Sequence, residues 1–395
     1  MAVAQSDSVG AGPDRPPGPR APGERSARFA AVIGAAGATG IVLGLLWDVS
    51  WHRSIGRDTF WNPAHVAIYL GGLLAAASAV PLIVRATFRD GPDRRASVAV
   101  GPLRGPLGAW VMVWGAGAML ASAPFDDWWH RAYGLDVRMI SPPHAVLAAG
   151  MACVVAGATL LTVSIQNRAA ARDLAMIGAL HVWVSGVLVA LQATFLAEHT
   201  FPFHQHGWLF YAIVCEGFPV LLIASARASR RRFPATRVAI VSMGIIGLTN
   251  WLLPLFPAQA RLGPIYNPVT RMVPMCFPLL IVFPAVAIDG LLSRFDGRPN
   301  ARLAAALGLT FLAVFLAVQW PFASFQMTPA SRNWFFGGDR TWSYWFHPET
   351  PWRYGFMPGP LDRWSGVGIF AAAVLAIVSS WAGLLAGGWM RRVQR

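Results

Sequence analysis

Residues 29–47 read FAAVIGAAGATGIVLGLLW, a run of nineteen residues without a charged side chain. Such a run can cross the roughly 30 Å hydrocarbon core of a bilayer as one helix. Similar runs recur and predict ten spans, at residues 29–47, 64–84, 105–124, 143–165, 173–196, 207–226, 238–258, 272–292, 303–322 and 365–389. A bilayer offers the backbone no hydrogen-bond partners, so the spans should be helical. The sequence predicts an all-α, polytopic membrane bundle.

The arginines predict the orientation of the bundle. All 32 Lys+Arg residues are arginine, and they concentrate in RATFRDGPDRR (85–95), RASRRRFPATR (227–237) and RRVQR (391–395). With the N-terminus inside, these stretches are cytoplasmic, as the positive-inside rule requires. We therefore expect a protein of the inner (plasma) membrane with both termini cytoplasmic. Its net charge of +14 should face anionic lipid headgroups and not nucleic acid.

Composition divides the chain into one domain and two tails. Residues 1–27 are rich in Pro, Gly and Arg, which predicts a disordered cytoplasmic tail. Residues 28–390 form a single transmembrane domain, and residues 391–395 are a basic cytoplasmic tail. The long segment 323–364 holds many tryptophans, which suits either a lid over a site or a belt at the membrane interface.

A ligand-rich motif, WDVSWHRSIGRDTFWNPAH, follows the first apolar run at residues 47–65. Asp48 and His52 are four residues apart and share one face of a helix. Pro63 suits the first turn of the returning helix and would aim His65 back toward them. One carboxylate and two imidazoles suit copper, zinc or Fe(II), and this donor set does not by itself choose among them. Asp58 would support an imidazole N–H.

The motif is repeated in DDWWHRAYGLDVRMISPPH, residues 126–144. Seven identities match, pairing Asp48, Trp51, His52, Gly56, Asp58, Pro63 and His65 with Asp126, Trp129, His130, Gly134, Asp136, Pro142 and His144. This pattern predicts a duplicated helical hairpin, residues 29–84 and 105–165. The second hairpin would hold a metal with Asp126, His130 and His144, supported by Asp136. Two mononuclear sites and one binuclear site both fit the repeat.

Further polar residues give weaker predictions. The segment between two of the predicted spans holds Glu198, His199, His204 and His206. This group is either an auxiliary metal site or an ordinary polar loop. His181 and Glu216 fall inside spans, where polar groups are costly. They could relay protons, and local hydrogen bonding within the bundle is the alternative.

The stretch DVSWHRSIGRDTFWNPAH resembles the metal-site segment of the membrane-embedded third subunit of particulate methane and ammonia monooxygenases, with the same Asp-x3-His-x12-His spacing. The resemblance implies copper held by Asp48, His52 and His65, with Arg57, Asp58 and Thr59 as supporting groups. Residues 126–144 resemble that segment more loosely. The match covers about 20 of the 395 residues.

The sequence therefore predicts a membrane metalloprotein with metal sites toward the outer face. Its predicted activity is the O2-dependent oxidation of a small-molecule substrate by a copper monooxygenase or one subunit of such an enzyme. It would work with partner subunits or as a homo-oligomer. The alternatives are a metal-binding or transport protein without catalysis, and a zinc-dependent hydrolase.

Overall fold

A computed structural model describes residues 22–56, 59, 61–134, 141–295, 300–356 and 363–395. The helices of this described part are α1 Pro22–Ser54, α2 Pro63–Phe88, α3 Pro92–Arg95, α4 Leu107–Tyr133, α5 Pro142–Arg168, α6 Leu174–Phe195, α7 Trp208–Ala228, α8 Pro234–Leu252, α9 Val282–Arg294, α10 Ala301–Gln326 and α11 Gly366–Met390. Two short antiparallel strands, β1 Val98–Val100 and β2 Leu103–Gly105, lie between α3 and α4. The predicted all-α bundle is confirmed.

Within the described residues, nine helices are long and apolar enough to cross a membrane: α1, α2, α4 to α8, α10 and α11. The spans that contain α6 and α8 also include the short 3-10 helices Ala171–Asp173 and Leu253–Leu255 that adjoin them. The chain is a multi-pass membrane protein. Its first helix begins at Pro22, inside the segment 1–27 that we predicted as a tail.

One predicted span, 272–292, is not a continuous helix. Residues 272–281 are non-helical, and only α9 is helical beyond them. Pro274 and Pro278 explain the difference, because proline lacks the N–H that a helix needs and clashes with the preceding turn. We call residues 272–281 the extended segment.

The extended segment and α9 together run antiparallel to α8. Asn250, near the end of α8, donates to the Cys276 carbonyl at 2.9 Å. Asp289 of α9 accepts from the backbone N–H groups of Ala235 and Thr236, at the start of α8. This part of the chain therefore traverses the bundle as a broken span.

Side chains of neighbouring elements satisfy the backbone of the extended segment. The Val273 N–H donates to Ser54 Oγ at 2.6 Å, and Leu280 donates to Gln319 Oε1 at 2.9 Å. Arg53 donates to the Pro274 carbonyl at 3.4 Å. Non-helical backbone is tolerated at membrane depth where protein surrounds it in this way.

Reciprocal glycine contacts close the two helical hairpins α1–α2 and α4–α5. A β-carbon on Gly37 would lie 2.6 Å from the Gly71 carbonyl oxygen, and one on Gly71 would lie 2.7 Å from that of Gly37. Gly115 and Gly150 meet in the same way, at 2.7 and 2.8 Å. These residues occupy equivalent positions in the two hairpins relative to the repeated motif, and small residues let helix backbones approach closely. The two hairpins thus share one packing geometry.

The two copies of the motif lie at one end of the bundle, where α1 and α4 end and α2 and α5 begin. We call this the ligand end. α1 continues to Ser54 and α4 to Tyr133, beyond the predicted limits of 47 and 124. These extra turns place the aspartates and the first histidines on helices. The tail after α11 packs on the opposite end, where Asn167 donates to the carbonyls of Met390 and Val393.

The tryptophan-rich segment packs on the ligand end beside α1. The Tyr344 N–H donates to the Arg53 carbonyl at 3.2 Å, and the Tyr344 carbonyl accepts from Tyr266 and Asn267 at 2.9 and 2.8 Å. The described part of the segment therefore contacts the helix that carries Asp48 and His52.

Candidate metal centre

The first site forms where α1 ends and α2 begins. Asp48 and His52 lie in the last two turns of α1, and His65 lies in the first turn of α2. Asn62 caps α2, because its side chain accepts from the His65 N–H at 2.7 Å. The Thr59 carbonyl in turn accepts from the Asn62 N–H at 3.0 Å. These contacts fix the backbone that carries His65.

The three side chains of the first site converge. His65 Nε2 is 3.2 Å from Asp48 Oδ1, and His52 Nε2 is 3.8 Å from Asp48 Oδ2. Apart from this approach of His65, Asp48 Oδ1 is buried and has no hydrogen-bond partner among the described residues. One ligand atom from each residue lies within 4.8 Å of the others.

The second site reproduces the first. His144 Nε2 is 3.3 Å from Asp126 Oδ1, and His130 Nε2 is 3.5 Å from Asp126 Oδ2. Apart from the approach of His144, Asp126 Oδ1 is again buried without a hydrogen-bond partner in the described part of the chain. The ligand atoms again lie within 4.8 Å of one another. Ser141 caps α5 by accepting from the His144 N–H at 3.4 Å. The predicted grouping of Asp126, His130 and His144 is therefore present in the structure.

These residues fit a metal ion by their chemistry. A buried carboxylate oxygen without a hydrogen-bond partner is costly unless a cation meets it. Each set offers one oxygen and two nitrogen ligands and leaves further coordination positions open, a donor set compatible with copper, zinc or iron. All six side chains are partly exposed, so an ion could enter from the ligand end.

The two copies differ in their surroundings. Arg53, which follows His52, is 2% exposed; it contacts Glu198 at 3.4 Å and lies over the Phe201 ring. Its counterpart Arg131 is 78% exposed and pairs with Asp127 on the surface. The first copy is thus built into neighbouring loops, whereas this part of the second copy faces outward.

The glycines that end the two motif helices show the same asymmetry. Gly56 and Gly134 both adopt positive φ, at 78° and 98°. A β-carbon on Gly56 would clash with the Tyr344 hydroxyl, whereas one on Gly134 would meet no described atom within 4 Å. Tyr344 therefore needs glycine at position 56.

The predicted auxiliary ligands do not form a third such group within the described residues. Glu198 contacts Arg53, and His199 is exposed. His204 packs on Phe203. His206 is stacked between Trp320 and Phe356, and its Nε2 lies 3.1 Å from the Trp320 carbonyl. Burial lowers the pKa of His206, opposed by this hydrogen bond.

The predicted proton-relay residues lie far apart in the bundle. His181 is fully buried, and its Nε2 lies 3.3 Å from the carbonyl of Ser225 on α7. Glu216 is exposed and lies nine residues before Ser225 on α7, about 13 Å along a helix. Of the predicted supporting groups, Thr59 contributes its carbonyl, and Arg57, Asp58 and Asp136 lie outside the described residues.

The sequence interpretation missed three polar residues near the sites. Asn62 and Ser141 precede the prolines at the helix starts, a spacing that signals helix caps. Tyr69 hydrogen-bonds Ser122 between the two hairpins; its position one turn after His65 was the available signal. No protein-family model, curated protein or solved structure matches the chain.

Proposed function

We propose that this protein is a membrane metalloprotein that binds copper at both Asp/His/His sites and takes part in the O2-dependent oxidation of a small substrate. The observation that carries the proposal is the convergence of three ligand atoms within 4.8 Å, twice, at one end of the bundle. The local resemblance of residues 48–65 to the membrane-embedded third subunit of copper membrane monooxygenases supports copper over zinc or iron.

The chain's own groups have defined tasks in this proposal. The aspartates supply charge, the histidines supply neutral nitrogen ligands, and the caps at Asn62 and Ser141 hold the second histidine of each site. Copper, when bound with open coordination positions, would supply the capacity to react with oxygen. Aromatic residues such as Trp128 and Trp129, whose rings meet edge-on next to His130 in the sequence, would offer a small apolar substrate a compatible surface.

We further propose that the ligand end faces outward from the inner (plasma) membrane and that both termini are cytoplasmic. The arginine-rich segments supporting this orientation lie at the opposite end of the helices. A complete enzyme would include partner subunits or further copies of this chain.

Metal content tests the proposal directly. We expect the purified protein, reconstituted with Cu(II) and washed, to retain about two copper ions per chain by elemental analysis, one for each group of ligands. Replacing His52 and His130 together by alanine should abolish this copper. His347→Ala is the matched control, because His347 is exposed, packs on Tyr266 and belongs to neither group of ligands. Wild-type protein that retains neither metal after reconstitution with copper and, separately, with zinc would contradict the proposal that this protein is a metalloprotein.

Oxygen consumption separates the enzyme from the alternatives. Copper-loaded protein in a bilayer, supplied with a reductant and a small apolar substrate, should consume oxygen, and the double variant should not. Stable copper without oxygen consumption would favour a binding or transport protein. Hydrolysis of a substrate by protein that holds zinc alone, without oxygen consumption, would favour a hydrolase.

A further inference from the structure

The repeated hairpin allows one helix face to be compared in two settings. α1 and α4 correspond in sequence, because Asp48 and His52 match Asp126 and His130. One face of α1 is buried at positions 42, 46, 49, 50, 53 and 54. The equivalent face of α4 is exposed in the described part of the chain, at Leu120, Pro124, Asp127, Trp128, Arg131 and Ala132. We call these six residues the outward stripe.

Protein covers this face in the first copy. Besides its hairpin partner α2, α1 packs against α5, α6 and α8, whereas α4 packs mainly against α5 and α2. At the end of α1, Arg53 lies 3.4 Å from Glu198 and over the Phe201 ring, and Ser54 Oγ accepts from the Val273 N–H. The same face of the same hairpin is therefore a protein contact in one copy and an open surface in the other.

The outward stripe has the composition of a protein interface. Leu120, Pro124 and Trp128 are apolar and exposed, and Arg131 lies one turn from Asp127 at the ligand end. Aromatic side chains and arginine are the residues enriched where proteins meet. The Trp128 ring stacks on Phe125, with 6.0 Å between the ring centroids. Because this contact already holds the ring, a partner would lose little free energy in ordering it.

The charges of the outward stripe fit a second copy of the same chain. Asp127 and Arg131 have opposite charges and pair within the chain at 2.6 Å, so the stripe carries no net charge that would repel its own copy. Two copies with one orientation in a bilayer present the stripe at the same depth. Around a two-fold axis, Asp127 of each copy then meets Arg131 of the other, as an isologous contact requires.

We propose that the outward stripe of α4 is the contact surface of a homodimer, with the two hairpins α4–α5 at its centre. The inference goes beyond the proposed function and requires no metal at either site. Trp128 also belongs to the proposed substrate surface, and to that extent the dimer bears on the proposed function. A second copy would border that surface.

The test is energy transfer between donor-labelled and acceptor-labelled full-length chains in liposomes, at a fixed ratio of protein to lipid. Arg131→Asp makes the charged end of the stripe wholly acidic, and Asp127→Arg makes it wholly basic. Each variant alone should associate about tenfold more weakly than wild type or worse, because like charges face each other. Mixing Arg131→Asp chains with Asp127→Arg chains should restore association, since opposite charges then meet at both contacts. A misfolded variant could not be rescued in this way.

Arg94→Asp is the matched control. Arg94 pairs with Asp90 four residues earlier, at 3.1 Å on the surface, and lies outside the stripe, so this variant should associate like wild type. Monomeric wild-type protein, or variants that do not rescue each other, would overturn the dimer and leave Trp128 as part of an aromatic belt at the membrane interface. Copper content of the same preparations separates the two proposals. Wild-type dimers that hold no copper would reject the proposed function and support the interface.

Discussion

Asn62 and Ser141 hold the second histidine of each site through the backbone. Each side chain accepts from the N–H of the histidine three residues later, at 2.7 and 3.4 Å. The cap therefore has two effects, because it stabilises the helix start and sets the direction from which the imidazole approaches the aspartate. Ser365 caps α11 in the same manner, through the N–H of Gly368, with neither metal-site group on that helix.

Asn62→Ala should separate these two effects. We expect both Asn62→Ala and Ser365→Ala to lose about 1 kcal/mol of stability through the missing cap. Only Asn62→Ala should weaken copper binding, and only at the first site, because His65 loses its backbone anchor. Thermal unfolding and copper affinity, measured on the same preparations, check this. Equal copper affinities in the two variants would refute the anchoring role.

Gly56→Ala should be more harmful than Gly134→Ala. Both positions have positive φ, so alanine should cost roughly 1–3 kcal/mol of backbone strain at each. At position 56 the methyl group also meets the Tyr344 hydroxyl and must displace the tryptophan-rich segment. A lower melting temperature for Gly56→Ala than for Gly134→Ala is the expected result. The reverse order would show that Tyr344 yields easily.

At the scale of elements, the hairpin is the unit that builds a site. The Gly37–Gly71 and Gly115–Gly150 contacts set the spacing of two helices whose ends hold three ligands. A change of helix spacing should therefore affect the site of its own hairpin most. Gly117, on the exposed side of α4 with no described atom within 4 Å of its would-be β-carbon, offers a control position.

Gly71→Val should remove copper from the first site and leave the second occupied. Valine cannot fit against the Gly37 carbonyl, so α1 and α2 must move apart, and overpacking of this kind typically costs about 1–3 kcal/mol. Gly150→Val should have the opposite selectivity, and Gly117→Val should retain both ions. Elemental analysis of the three variants, each also carrying His52→Ala or His130→Ala, shows how many ions remain and which site holds them. If the single substitution Gly71→Val removed both copper ions, the two hairpins would not be independent units.

The elements also mark where sequence interpretation succeeds. Nine apolar runs predicted helices that the structure contains, because length and hydropathy suffice for a helix in lipid. The prediction of one continuous helix was wrong for residues 272–292, because a buried extended chain is as apolar as a helix. Pro274 and Pro278 carried the missing information. Helix ends were underestimated at Ser54 and Tyr133, because polar ligands interrupt the apolar pattern without ending the helix.

In the whole molecule, Arg53 connects parts of the chain that are distant in sequence. Its guanidinium reaches Glu198 and the Pro274 carbonyl, and its own carbonyl accepts from Tyr344. No pattern in the sequence identifies these partners, because they come from three separate loops. The metal ligands were predictable, since their spacing is local. The groups that surround them depend on tertiary packing and were not.

Arg53→Ala should therefore destabilise the protein more than Arg131→Ala. The buried guanidinium makes charge-assisted hydrogen bonds, whose loss costs about 1.5–3 kcal/mol each before discounting for the exposed Glu198 partner. The surface pair of Arg131 and Asp127 contributes at most about 1 kcal/mol. Unfolding temperatures of the two variants in one detergent provide the comparison. Similar losses would mean that the contacts of Arg53 contribute little.

The unequal environments of Arg53 and Arg131 imply that the two copies of the motif tolerate substitution to different degrees. The hairpin occurs twice, and in this structure Arg53 of the first copy contacts neighbouring loops whereas Arg131 of the second copy is exposed. Substitutions around the first copy must satisfy many partners at once. Within a single chain, sequence changes should consequently be tolerated more readily around the second copy.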